Sequence, residues 1–392
     1  MPWADGLRAD GRAAGRDLAR AAAEASGAAE PQSLAGALVS LAAGTEAIAR
    51  LRAMLDGIDR YQSHPYRRTL QDPPTVWSLG RARLLDYGRA PEAIGGPGAP
   101  GVLVIPSLVN RAAILDLHPR RSLMRALAAR GLRPLLLDWG DPGAAERRFD
   151  LDAYYVARAL PAARAAAALT GAPVAALGYC MGGAFAAALA AQRPGLVSRL
   201  ALIGAPWEYR RFEGMAAALA SLVGRDDPTL AEARIRGLGE AFGSVPSDFL
   251  QLLFAALDPT LALRKFRRFA QLPPDSDRAE MFVAVEDWLN DGVALAAPAA
   301  RDIALDWYRD NRTSRGDWRL GGEAVWPAAV SAPTLAFCSP SDRIAPPACA
   351  EPLPRAIPGA RILRPRTGHV GMIVGSCAPR EVWGPLIDFL RG

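Results

Sequence analysis

Short apolar runs separated by helix-length stretches organise the chain from about residue 100 onward. They are "VLVIP" (102–106), "RPLLLDW" (133–139), "PVAALGY" (173–179), "RLALIGA" (199–205), "PTLAFCS" (333–339) and "ARILRPR" (360–366). Runs that are apolar throughout, rather than at alternate positions, predict strands covered on both faces, as in a parallel sheet. The segments between them, such as "RSLMRALAARG" (121–131), are rich in Ala, Leu and Arg, which favour helix. Strands alternating with helices predict βαβ units and an α/β architecture. "ARLLDYG" (82–88) reads as the first strand, after a loop at 63–74 and before a turn in "GGPGAPG" (95–101). A last helix is expected from about Arg380 to Leu390.

The rhythm breaks between Gly204 and Ala332, where helix-like segments such as "SDFLQLLFAALD" (247–258) and "AARDIALDWYRDN" (299–311) follow one another. Such an insertion between two strands predicts a helical cap, assigned to 207–330, over the carboxyl edge of a core formed by 81–206 and 331–392. Residues 1–80 read as an Ala- and Arg-rich, largely helical N-terminal region. Arg8, Arg12, Arg16 and Arg20 in it fall on one helical face.

Composition narrows the class. With 392 residues, 51% of them hydrophobic, the chain can bury a large core. No uncharged apolar run reaches the ~18 residues of a membrane span. Asp5, Arg8 and Asp10 near the start, with no apolar segment, argue against a secretory leader. Four cysteines in so long a chain do not form a disulfide framework, and no Cys-x-x-Cys pair suggests a metal site. A cytoplasmic setting is expected. The net charge is +6, and Lys265 is the only lysine among 46 cationic side chains. That arginine excess is what a GC-rich genome, favouring Arg and Ala codons, produces; the functional alternative is attraction to anionic groups such as the phosphates of a nucleotide cosubstrate. No nucleic-acid-binding motif accompanies it.

The chemistry concentrates in "LGYCMGGAF". A strand runs into Cys180, and a helix of small residues leaves it, so Gly178-x-Cys180-x-Gly182 forms a nucleophile elbow with cysteine in the place of serine. Glycines at 178 and 182 permit the sharp strand-to-helix turn. The helix start directs free N–H groups and the positive dipole end at the sulfur, favouring thiolate. Of three histidines, His64 precedes the sheet and His118 is expected as a surface or capping residue. His369, in "RTGHVGM", follows the last strand on a Gly-flanked loop, where an elbow enzyme places its base. Asp342, in "CSPSDRIAPP", is the acid that would orient the ring; Asp138 also ends a strand but precedes the nucleophile. The oxyanion donors expected are the backbone N–H groups of Met181 and Val109, with Leu108 one residue away in register.

These residues resemble those of the polyhydroxyalkanoate synthases, especially the short catalytic subunits of the two-component type. The likeness covers roughly 80–392 and rests on "LVIPSLVNRAAILDLHPR", "GYCMGG", "DRIAPP" and "GHVGMIVG". It implies an α/β-hydrolase fold with a helical cap and an acyltransferase that polymerises 3-hydroxyacyl-coenzyme A. Cys180 would carry the growing acyl chain as a thioester, His369 would be the base, and Asp342 would assist the histidine or the incoming hydroxyl. No cofactor is implied beyond the coenzyme A thioester as substrate. The partners implied are the polyester chain, its granule surface, and an accessory subunit or second copy. His118 stands where the family's glutamine is expected, and the Arg-rich leader has no counterpart there.

Two rival readings follow from the same residues. One is a cysteine-nucleophile hydrolase of the dienelactone hydrolase kind, whose elbow has the same pattern but which is shorter and lacks so large a cap. The other is a catalytically silent granule-binding protein using the arginine-striped leader, which the complete triad positions argue against.

Overall fold

The computed structural model of the chain describes residues 34–212 and 227–392. The arginine stripe at 8–20 lies outside the described residues. Two compact units are distinguished, Met1–Arg60 with Leu263–Gln271, and Tyr61–Ala262 with Leu272–Gly392. In the first, α1 (Leu34–Ser63) lies against α7 (Leu261–Ala270). Gly57 allows this approach, since a Cβ there would fall 2.1 Å from the Phe266 carbonyl oxygen. Arg60 donates to the Ala270 carbonyl at 2.6 Å. A stretch of the expected cap therefore groups with the leader helix.

The second unit carries the sheet. Its strands are β1 (Thr75–Leu79), β2 (Ala82–Asp86), β3 (Gly101–Ile105), β4 (Arg133–Asp138), β5 (Val174–Tyr179), β6 (Val197–Ile203), β7 (Thr334–Phe337) and β8 (Arg361–Leu363). Their spatial order is β1-β2-β4-β3-β5-β6-β7-β8. β2 is antiparallel to both neighbours, and the remaining pairs are parallel. The sheet thus starts with β1, ahead of the strand expected first.

Alternate residues of each strand feed opposite layers. Leu103, Ile105, Leu135 and Leu137 enter one core, while Val102, Val104, Leu136 and Leu177 enter the other. This is the two-faced burial that the continuous apolar runs predict. Helices cover the layers, including α2 (Leu123–Ala128), α3 (Leu160–Thr170) and, directly after β5, α4 (Gly182–Gln192). Ala184, Ala186, Ala187, Ala188 and Ala190 of α4 are fully buried, so it is apolar all round and sits inside the fold.

Between β6 and β7 the second unit carries α5 (Pro228–Phe242), α6 (Ser247–Ala256), α8 (Asp277–Asn290) and α9 (Ala297–Asp302). Asp227 caps α5 by accepting from Thr229 and Leu230 N–H groups, and Ser276 caps α8 through Ala279. α9 runs on into a π-helical turn, Ile303–Arg309. The last helix, α10 (Gly384–Arg391), follows a π turn at Pro379–Trp383. Among the described residues, no helix is long and apolar enough to cross a membrane.

Candidate active site

In an open α/β sheet, binding sites form outside the carboxyl ends of the strands where the strand order reverses. Here the chain steps from β4 back across β3 to β5, and Cys180 is the residue that leaves β5. Its φ is 54°, in the left-handed region that costs a side-chain-bearing residue on the order of 1 kcal/mol or more. The turn is held by Cys180 N–H donating to the Ile203 carbonyl (2.9 Å) and Gly183 N–H donating to the Cys180 carbonyl (2.9 Å). The glycines are required by contact. A Cβ on Gly178 would lie 2.4 Å from Gly183 Cα, and one on Gly182 2.0 Å from the Ile105 carbonyl oxygen. Both obstacles are backbone. Gly182→Ala is expected to destabilise the fold by about 3 kcal/mol, the upper range for overpacking. A urea midpoint equal to that of the wild type would contradict this contact.

Asp342 and His369 come together from the loops after β7 and β8. His369 Nδ1 lies 2.7 Å from Asp342 Oδ2, while the second carboxylate oxygen accepts from Ile344 and Ala345 N–H, each at 2.8 Å. Both residues are buried. The Ser339 hydroxyl donates to the Thr367 carbonyl, linking the two loops. The other ring nitrogen, Nε2, is buried with no other protein partner, and the Cys180 sulfur acts on the ring through its charge and a long hydrogen-bonding contact. Burial pulls the ring's pKa down. The charges of Cys180 and Asp342 outweigh it and raise the pKa from 6.5 to about 10.

The remaining histidines do other work. His118 is buried, not on the surface, because Tyr66 stacks on it at 5.6 Å. It does act as a local cap, since its Nδ1 accepts from Arg120 N–H at 3.1 Å. His64 is also buried, its Nε2 2.9 Å from the Pro274 carbonyl. Asp138 is held by Arg83 (2.9 Å) and by the Gly140 N–H (3.1 Å).

Residues 97–376 match the family described as "alpha/beta hydrolase fold". The chain belongs to that family. The relatives of this alpha/beta hydrolase fold protein include poly(3-hydroxyalkanoate) polymerase subunits. It is 28% identical over 320 residues to the poly(3-hydroxyalkanoate) polymerase subunit PhaC of Haloferax mediterranei, covering 80% of this chain and 62% of that one. It is 29% identical over 316 residues to the subunit of the same name from Allochromatium vinosum, covering 78% and 84%. The first two relatives, from Haloferax and Haloarcula, are spanned over 62% and 66% of their own length. The resemblance to polyhydroxyalkanoate synthases read from the motifs therefore extends over most of the chain. A solved alpha/beta hydrolase fold protein from Nakamurella multipartita is 18% identical, with a TM-score of 0.48, covering 82% of this chain and 99% of its own.

On this alpha/beta hydrolase core, a cavity opens above the elbow. Cys180, Met181 and Val109 form one part of its wall, and Phe249, Leu253 and Trp307 of the β6–β7 insertion form others. No charged side chain lines it among the described residues. Val109 lines the cavity and its N–H donates to Ser107 Oγ at 3.4 Å, whereas Leu108 does not reach the cavity. The segment that carries Val109 is tied to the insertion. Arg111 pairs with Asp141 (2.9 Å) and Asp291 (3.2 Å), and the Trp288 indole donates to the Arg111 carbonyl (2.8 Å). In the "LDL" run, Asp116 is a buried structural anion that accepts from Arg125 (2.9 Å) and Tyr87 (3.0 Å).

Two residues that seat the imidazole have no motif of their own. Tyr179 stacks on His369 with ring centroids 5.2 Å apart. Gly204, at φ 54°, leaves the space the ring occupies, since a Cβ there would lie 2.9 Å from His369 Cε1.

The raised pKa also links this site to stability. The folded ring holds its proton more tightly than an unfolded one, so its stabilising contribution is full below pH 6.5 and disappears as pH rises through about 10. The melting temperature of the wild type should fall relative to that of His369→Gln across this window. Parallel curves would mean that the folded ring gains no proton affinity.

Proposed function

We propose that the chain is a polyhydroxyalkanoate synthase, an acyltransferase that moves 3-hydroxyacyl groups from coenzyme A through a thioester on Cys180 to a hydroxyl acceptor. The observation that carries this reading is a strained cysteine elbow beside a His369–Asp342 pair, under an uncharged cavity, in a chain similar to PhaC subunits.

The geometry supports the following roles. The Cys180 sulfur attacks the substrate's thioester carbonyl carbon. Met181 and Val109 N–H groups receive the oxyanion. The bond from carbon to the coenzyme A sulfur breaks, and that sulfur leaves with the proton held by His369. Acylation removes the charge on Cys180, one of the causes that raise the ring's pKa, so the neutral imidazole is poised as a base. It takes the proton of the incoming 3-hydroxyl group, whose oxygen attacks the Cys180 thioester. An ester forms, the carbon–Sγ bond breaks, and the sulfur and imidazolium are restored. Asp342 fixes the ring's orientation and stabilises its charged form throughout. Cysteine suits the first step because one thioester replaces another with little change in free energy. Exclusion of water by the insertion over the cavity keeps the acyl group for a hydroxyl acceptor. Such an enzyme would work in the cytoplasm at the surface of a polyester granule, with an accessory subunit or second copy as partner.

Incubation with 3-hydroxybutyryl-coenzyme A should release coenzyme A thiol together with polymer. Release of thiol with monomeric 3-hydroxybutyrate alone would favour the cysteine hydrolase instead.

A further inference from the structure

The cavity wall is apolar almost throughout, which makes its few polar atoms informative. The Tyr209 hydroxyl is 3.4 Å from the Pro206 carbonyl, to which it donates. The Trp307 indole nitrogen is covered by protein atoms and has no hydrogen-bond partner. Tyr308 differs from both. It lines the cavity with Cys180, and its hydroxyl makes no hydrogen bond with any described residue. Its ring is fixed from two sides, by Tyr209 edge-on at 4.8 Å and by Phe212 at 6.0 Å. It stands in the π-helical turn Ile303–Arg309, and such turns recur at functional sites. Burial, followed by the neighbouring Cys349 and Cys180 sulfurs, pushes the phenol well above its ordinary pKa, so it remains a hydrogen-bond donor at any physiological pH.

We propose that the Tyr308 hydroxyl binds the 3-hydroxyl oxygen of the acyl group seated in this cavity, and so selects hydroxyacyl over plain acyl thioesters. The inference rests on the acyl-transfer reading above. A substrate hydroxyl carried into an apolar cavity loses its water partners, and without a replacement that loss opposes binding. Tyr308 is the side chain in the wall that has an uncommitted polar hydrogen facing the space. The thioester carbonyl oxygen has other donors, the N–H groups of Met181 and Val109 at the elbow. Of the tyrosine hydroxyls in the wall, that of Tyr209 is committed to the Pro206 carbonyl, which leaves that of Tyr308 for the 3-hydroxyl. One neutral hydrogen bond of this kind corresponds to roughly 10-fold in a rate ratio.

The test measures the rate at which the peptide containing Cys180 gains acyl mass from 3-hydroxybutyryl-coenzyme A and, separately, from butyryl-coenzyme A. In the wild type the ratio of the two rates should favour the hydroxyacyl thioester. Tyr308→Phe, which keeps the ring and its packing, should reduce that ratio by about 10-fold. A ratio equal to that of the wild type overturns the proposal. So does an equal loss on both thioesters, which would place the phenol on the shared carbonyl or in the packing alone. In either case acylation of the wild type leaves the acyl-transfer reading standing, whereas failure of the wild type to acylate with either thioester removes both.

Discussion

Cys180→Ala is expected to reduce coenzyme A release from 3-hydroxybutyryl-coenzyme A to background, a loss of about 10⁴-fold or more. Cys377 is partly exposed but does not line the cavity, and the two other described cysteines are inert. Cys338 and Cys349 are buried, and burial pushes both thiols up to about 12, so they remain neutral and unreactive near pH 7. The substitution should leave the fold intact, because alanine keeps a Cβ in the turn and removes only the sulfur. Melting temperature and secondary structure close to those of the wild type, with activity absent, would assign the loss to chemistry. Residual transfer above one part in about a hundred would mean that the acyl group takes another route.

Asp342→Asn is expected to cost about 10³- to 10⁴-fold in the same assay, with a native-like spectrum. The carboxylate has two tasks that an amide cannot combine. One oxygen accepts from the Ile344 and Ala345 N–H groups, holding the loop in place. The other faces His369 Nδ1 at 2.7 Å and supplies negative charge beside it. An asparagine that keeps the loop bonds with its oxygen turns an NH₂ group toward Nδ1. That nitrogen must then accept, and the proton moves to Nε2, where it blocks removal of a proton from substrate or sulfur. The ring also loses one of the charges that raise its pKa. The alkaline limb of the rate profile should therefore move to lower pH in the variant. Activity within a factor of ten of the wild type would show that the pair is structural.

The parts of the site that could be read from sequence are those encoded by local spacing. Gly178, Cys180 and Gly182 crowd one turn, and the backbone of Gly183 and Ile105 explains both glycines. Asp342 and His369 follow successive strands, so chain order alone brings them to one edge of the sheet. The uninterrupted apolar runs marked β3 to β7 because both faces of each are covered.

What was missed depends on contacts distant in sequence. β1 is an edge strand, largely exposed, whose "TVWSL" contains no long apolar run. Its legible signal was the turn: Leu79 pairs with Ala82 across Gly80 and Arg81, and Gly80 has φ 59°, as a two-residue hairpin requires. The position of His118 early after the first sheet strands predicts a surface or capping residue, but its burial beneath Tyr66 comes from a loop some fifty residues earlier. Gly204 and Tyr179 look like ordinary strand-end residues until the imidazole from the far end of the chain is set against them. The grouping of Leu263–Gln271 with the leader helix rests on contacts about two hundred residues apart in sequence, such as that of Arg60 with the Ala270 carbonyl.

Mass spectrometry of the protein quenched with acid after brief exposure to 3-hydroxybutyryl-coenzyme A tests the central claim most directly. The peptide containing Cys180 should carry one or more 3-hydroxybutyryl units, with the number rising over time, and the adduct should disappear on treatment with neutral hydroxylamine, as a thioester does. Turnover of the thioester with that peptide unmodified at every time point, or with the acyl group on another side chain, would contradict the account.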